Sequence, residues 1–391
     1  MKLLKFITIT IVFFLIFSYQ FIHAQSLSQN AEISLITCNP GEELYSVFGH
    51  SAIRVKDMEK GIDWVYNYGT FNFDEPDFYV KFVKGYLNYQ LSVYHMRDFL
   101  NEYQHENRSV YEQILELSPS EKDKVFRFLE FNRLPENKFY LYDFFFDNCA
   151  TRIRDVFQNE LKENLKFDES KYKEITFRQM LKPYLENQPW GRFGINLILG
   201  AIADRKGTLN ESMFLPDYMK LAFGNSKLDI GDQNKLFVKS SKVLYEQTIV
   251  KESILILTRP GFVFWSVLFI VLFLTFIEFQ KKIRYKLIDF FVFLFIGTIG
   301  TILILAWFGT NHTAVVQNWN LLWAIPIHLL AAFVVFRKSK STFLKYYFLV
   351  TGIITLSVLP FWIIIPQQYD LAFIPLILLS SVRSYQLFRY Y

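Results

Sequence analysis

Two kinds of hydrophobic patterning divide the chain. Up to about residue 258 apolar positions alternate or recur at helical spacing; beyond that point they run on for most of a helix at a time. Residues 31–94 read as β-rich. Glu32–Thr37 is a short strand, and Pro40-Gly41 marks a turn. Gly49–Val55 alternates, with His50 at its start. Asp63–Gly69 alternates again after Gly61, so 50–55 and 63–68 predict a hairpin. Tyr86–Tyr94 alternates once more.

Residues 96–190 read as largely helical. Ser118-Pro119-Ser120-Glu121 carries the N-cap and first-turn chemistry of a helix start. Asp147-Asn148 offers a cap for a second helix that begins at Cys149. Thr176–Leu185 predicts a third, stopped before Gln188-Pro189-Trp190-Gly191. Residues 190–224 mix glycine and small residues with apolar ones.

Five apolar segments follow, at 262–279, 287–308, 321–336, 343–365 and 371–388. A membrane-spanning helix needs roughly 20 apolar residues. The third segment contains Pro326, and the fifth is interrupted by Pro375 and Arg383. Lys281, Lys282, Arg284 and Lys286 lie in one connecting loop, and Arg337, Lys338, Lys340 and Lys345 in another. Loops 309–320 and 366–370 hold no Lys or Arg. The basic loops are therefore expected in the cytoplasm, and everything before residue 259 outside it.

The N-terminus agrees by a separate route. Lys2 and Lys5 precede an apolar run from Ile7 to Ile22, and Ala24 precedes a polar stretch. This reads as a secretory signal peptide over 1–24, with an uncleaved anchor as the alternative. The expected organisation is an exported domain at 25–258 and a multi-pass transmembrane helical domain at 259–391.

Composition sharpens this division. The chain has 391 residues, of which 52% are hydrophobic and 19% aromatic, and it is net +5. Residues 25–258 are net −5 and residues 259–391 net +8, so the basic excess belongs to membrane flanks. It is no nucleic-acid footprint. No His/Cys pair has metal-ligand spacing, so neither a metal nor another cofactor is expected.

Only two cysteines occur, Cys38 and Cys149, too few for a disulfide scaffold. A thiol in the first turn of a helix is activated, because free N–H groups and the helix dipole favour a thiolate. His50, about a hundred residues upstream, is the candidate base. A thiol nucleophile is commonly held as an ion pair with an imidazole whose tautomer a third polar group fixes. Asn67 on the neighbouring strand is that candidate, with Tyr66 and Tyr68 as rivals. This is a papain-like arrangement with the chain order reversed. The competing readings are a buried structural cysteine, a structural histidine, and a Cys38–Cys149 disulfide. His95 and His105, in polar surroundings, read as surface or structural residues. His312 and His328, near and within the membrane segments, are either functional groups or interhelical hydrogen-bond partners.

Several stretches together resemble the Lnb-type lipoprotein N-acyltransferase family. They are Thr37-Cys38-Asn39-Pro40-Gly41-Glu42-Glu43-Leu44-Tyr45-Ser46-Val47-Phe48-Gly49-His50-Ser51, Tyr66-Asn67-Tyr68-Gly69-Thr70-Phe71, Asp147-Asn148-Cys149, Phe193-Gly194-Ile195-Asn196, Phe214-Leu215-Pro216-Asp217-Tyr218 and Asn318-Trp319-Asn320-Leu321-Leu322-Trp323-Ala324. The resemblance spans nearly the whole chain. It implies an α+β, papain-like periplasmic domain of the permuted NlpC/P60 and lecithin–retinol acyltransferase kind, followed by an all-α transmembrane bundle of about five helices. It implies His50 and Cys149 as the catalytic pair. It also implies a phospholipid acyl donor and bacterial lipoproteins as acyl acceptors. A cell-wall cysteine peptidase or amidase, and a non-catalytic membrane-anchored binding module, are the alternatives.

Overall fold

The computed structural model describes residues 26–43, 46–230, 233–248, 255–337 and 341–391. The expected signal segment, and Lys338 and Lys340 of the second basic loop, lie outside the described residues.

The first half of the chain is a mixed α/β domain. Its strands in chain order are β1 (Glu32–Cys38), β2 (His50–Asp57), β3 (Ile62–Thr70), β4 (Asn88–His95), β5 (Val110–Leu115), β6 (Phe139–Leu141), β7 (Leu165–Lys166), β8 (Lys227–Ile230), β9 (Gln233–Leu236) and β10 (Val238–Tyr245). Seven of them form one antiparallel sheet in the order β10-β5-β1-β2-β3-β4-β6. The expected β2–β3 hairpin is present, with Ile53 opposite Tyr66.

The largely helical reading of 96–190 needs correction, because β5, β6 and the two-residue β7 fall inside it. β5 and β6 are short and lie between genuine helices. Pairing with β1 and β4, which is non-local, selects the extended state there.

Strand alternation gives the sheet two buried faces. Ile33, Leu35, Ile53, Val55, Tyr66 and Tyr68 face one core, where residues of the helices Pro119–Asn132 and Cys149–Leu161 join them. Ile36, Cys38, Ala52 and Val65 face the other, with Met96 and Phe99 from the helix Met96–His105. Cys38 and Cys149 thus belong to different cores, and both are free thiols. This overturns the disulfide reading. Burial pushes the Cys38 thiol well up, and it sits inert in its core.

The second half is helical. Pro260–Lys281 and Lys286–Gly309, of 22 and 24 residues, are long and apolar enough to cross a membrane. The third expected segment does not form one continuous helix. A 3-10 turn at Trp319–Leu322 leads to the helix His328–Val334. Pro326 lacks the N–H that a helix through this point would need. The close approach of this segment depends on Gly297, where an added Cβ would stand 2.0 Å from the Leu329 nitrogen. The fourth helix, Thr342–Ser357, ends ahead of Pro360. The fifth, Phe373–Tyr390, is not interrupted at all. Pro375 lies in its first turn, where no intrahelical donor is lost.

Arg383 is fully buried and bonds Glu278 and Asp289 at 2.6 Å each. Arg284 reaches the second oxygen of Asp289 at 2.9 Å. Two guanidinium groups therefore face two carboxylates, so the cluster is balanced in charge and cross-links three helices. His328 Nδ1 lies 2.8 Å from the Tyr347 hydroxyl of the next helix, which matches the interhelical reading of that histidine.

The two halves meet in an extensive joint. The helix Pro189–Ile198 places Phe193 in the core of the membrane helices beside Phe264 and Phe373. Asn318 Nδ2 donates to the carbonyls of Leu197 and Ile198, at 2.8 and 3.0 Å. The Gly200 N–H donates to Ala314 O at 2.9 Å. The joint leaves the helix termini hydrogen-bonded across the boundary and seats an aromatic ring in the opposite half.

Candidate active site

The site is built on the start of the helix Cys149–Leu161. Asn148 is its cap: Oδ1 accepts from the N–H groups of Ala150 and Thr151, at 2.9 and 3.0 Å. Thr151 Oγ1 accepts in return from the Asn148 N–H at 2.7 Å. Of the two possible caps, then, Asn148 is used, a reciprocal box that fixes the first turn. Asp147 instead forms a bidentate ion pair with Arg152. Asn148 Nδ2 also donates to Phe144 O and Phe214 O, both at 2.9 Å, which pins the cap to the loops on either side.

Upstream, Asp143 closes the turn into this helix. Its Oδ1 accepts from the N–H groups of Phe145 and Phe146, at 3.0 and 2.9 Å. Its other carboxylate oxygen accepts from Thr313 Oγ1 at 2.5 Å. Thr313 lies in the loop that follows the second long apolar helix, so the turn before Cys149 is tied directly to the membrane half.

Three sequence-derived residues come together. Cys149 is 9% exposed, and His50, at the start of β2, lies near enough for its charge and a hydrogen bond to act on the thiol. His50 Nε2 donates to Asn67 Oδ1 at 2.6 Å. Its rivals Tyr66 and Tyr68 point the other way, their hydroxyls donating to Glu130 and Asn132 at 2.5 Å. Asn67 therefore holds the proton on Nε2 of the neutral ring, leaving Nδ1 free to accept one from the thiol.

The electrostatics follow from this packing. Burial works to raise the Cys149 pKa, but the charge and hydrogen bond of His50, with the N–H groups of Ser51 and Ala150, outweigh it and lower the thiol below its ordinary value. Burial likewise works to lower His50, but the Cys149 charge, its hydrogen bond and Asn67 raise the imidazole above its ordinary value. The two opposite shifts are those of a buried thiol and imidazole that each favour the other's charged form.

Gly69, Tyr140 and Asp143 lie at or beside this site, and the sequence reading did not single them out. Gly69 has φ +87°, and a Cβ there would stand 3.2 Å from the Cys149 Cβ, so only glycine fits both the backbone and the space. That same point lies 3.9 Å from the Tyr140 hydroxyl, which is buried and without a partner. Burial and the nearby Cys149 charge push the Tyr140 pKa well up, so this hydroxyl stays protonated. A glycine just after Asn67 was a visible signal; a tyrosine on a three-residue strand was not. His95 and His105 are exposed, and neither belongs to the site.

A family model described as the Lnb N-terminal periplasmic domain matches residues 18–183, and one described as the Lnb transmembrane domain matches residues 251–391. The chain belongs to the Lnb family. It is a membrane protein with a periplasmic region, and His50, Asn67 and Cys149 all fall within the Lnb periplasmic match. Residues 184–250 lie between the two Lnb matches and contain the helix Pro189–Ile198 of the joint. No curated protein and no solved structure matches the chain.

Proposed function

We propose that this Lnb-family protein is a multi-pass inner-membrane acyltransferase with a papain-like, permuted NlpC/P60-like catalytic domain in the periplasm. It moves an acyl chain from a phospholipid to the α-amine of a lipoprotein's N-terminal diacylglyceryl-cysteine. The observation that carries this reading is the buried His50–Cys149 pair on a turn bonded to the membrane half through Asp143 and Thr313. A thiol site that acted on a soluble substrate would have no need of that bond. The basic loops flanking the apolar helices support a periplasmic orientation of the site.

In the first step the Cys149 thiolate attacks the ester carbonyl of the phospholipid. The tetrahedral intermediate collapses, the C–O bond breaks, and the His50 imidazolium gives its proton to the departing lysophospholipid oxygen. In the second step the neutral lipoprotein amine attacks the thioester, His50 takes the amine proton, and the C–S bond breaks to return the thiolate. One amide forms for one ester lost, and His50 ends protonated as it began. The Cys149 N–H, in the first turn and without an intrahelical acceptor, and the unpartnered Tyr140 hydroxyl are the donors offered to the intermediate's oxyanion. The membrane helices hold both lipid substrates at the depth of the thiol, which makes each step effectively unimolecular.

The test is mass spectrometry of lipoprotein N-termini from cells lacking the gene, with and without the full chain restored. Deletion should leave diacylated N-termini with a free amine, and restoration should return the N-acyl chain. Unchanged N-termini accompanied by altered muropeptides would replace this reading with the cell-wall peptidase.

A further inference from the structure

β3 ends at Thr70, one residue beyond the glycine that touches Cys149, and the chain re-enters the sheet only at Asn88 of β4. The intervening excursion, residues 71–87, carries a short helix, Phe78–Lys84. Its inner side is well held. Phe71 packs on Phe73, Phe78 and Tyr89, with ring centroids 5.0, 5.6 and 5.3 Å apart. Lys81 pairs with Glu75 at 2.7 Å. Gly85, with φ +72°, closes the helix.

Its outer side is apolar and uncovered. Phe73, Tyr79, Val80, Phe82, Val83 and Tyr86 are all exposed, Tyr79 to 77%. Positions 79, 80 and 83 share a helix face, so this is one patch rather than scattered residues.

The excursion sits against the end of a long apolar helix. The Asn311 N–H donates to Lys84 O at 2.8 Å, and His312 Nε2 donates to Phe82 O at 3.1 Å. These residues directly follow Gly309, the last residue of the long apolar helix Lys286–Gly309. That helix's final turns expose Ile302, Leu305 and Phe308, the last to 72%, as lipid-facing side chains do. The apolar surface of the transmembrane domain therefore continues onto the excursion, with aromatic residues at the boundary where a headgroup layer favours them.

We infer that residues 71–87 form a lip that dips into the outer leaflet of the bilayer and supports the mouth of the Cys149 site. Tyr79, Val80, Phe82 and Val83 enter the headgroup–acyl boundary, while Asp74, Asp77 and Lys84, all exposed, remain among the headgroups. An acyl ester lying in that leaflet is then brought beside the strand end that holds Gly69 and Cys149. The occupant of the patch is the bilayer itself.

Spin-label depth measurement on the full chain in phosphatidylcholine–phosphatidylglycerol nanodiscs tests this without reference to catalysis. A label is placed at Val83→Cys, or separately at Tyr79→Cys, in a Cys149→Ser background; Cys38 is 1% exposed and escapes labelling. Phe308→Cys and Glu59→Cys give the membrane and aqueous references. Both lip labels should show an oxygen-to-nickel-chelate accessibility ratio several-fold above that at residue 59 and approaching that at residue 308. A ratio equal to that at residue 59 would overturn the lip, because the patch would face water. Protection from both reagents would overturn it as well, because a protein surface would then cover the patch.

Discussion

Replacing Cys149 by serine is expected to lower phospholipid-to-lipoprotein acyl transfer by roughly 10³-fold or more, measured in micelles or proteoliposomes. The reason is chemical. The capping box of Asn148 and Thr151 does not use the Cys149 side chain, so the helix start and its N–H groups survive the change. Serine is of similar size, and its Cβ takes the place of the cysteine Cβ over Gly69. What disappears is the thiol, whose ionisation the His50 charge and the N–H groups of Ser51 and Ala150 favour against burial. A serine hydroxyl in the same place has a far higher pKa and stays protonated. Unfolding by heat should be nearly unchanged, which separates loss of chemistry from loss of structure. Transfer at an undiminished rate would remove Cys149 from the reaction.

His50→Ala is the second large effect. Loss of a positioned acid–base group costs on the order of 10²–10⁴ in rate. The pH dependence gives a sharper readout than the rate. With His50 present the Cys149 pKa is lowered and the His50 pKa raised, because each group favours the charged form of the other. Alkylation by iodoacetamide should therefore begin below the ordinary thiol range, and acyl transfer should fall again as pH rises through the raised His50 pKa. Without His50, burial is left to act on the thiol with only the backbone N–H groups against it, so the alkylation midpoint should move upward. Asn67→Ala should move it in the same direction by less, since the imidazole remains but loses the partner that fixes its tautomer. An alkylation profile unchanged in His50→Ala would mean the two side chains do not act as a pair.

Local signals carried much of this site. Strand alternation, a Ser/Thr/Asn cap and the turn glycines are short-range, so β1 to β4 and the helix starts at Ser118, Cys149 and Thr176 were legible directly. Asn67 could be nominated from its strand, but choosing it over Tyr66 and Tyr68 required knowing that the tyrosines face Glu130 and Asn132. The strands at 110–115 and 139–141 are fixed by partners far away in sequence, and their own residues do not announce them. The membrane half was misread where hydropathy alone was used. Pro326 breaks an apolar run into turns, while Pro375 and Arg383 break nothing, one lying in a first turn and the other neutralised by Glu278 and Asp289. Tyr140 and Thr313 reach the site only through the tertiary fold.

The central claim is an acyl-Cys149 intermediate. The full-length protein is incubated with phospholipid and without a lipoprotein acceptor, and its intact mass is recorded. The account predicts one added acyl chain, located on the peptide containing Cys149, released by neutral hydroxylamine as a thioester is, and discharged when a diacylated lipopeptide is supplied. A full-length protein that transfers acyl chains to the lipopeptide, yet never carries one on Cys149 and shows no change on hydroxylamine treatment, would contradict it.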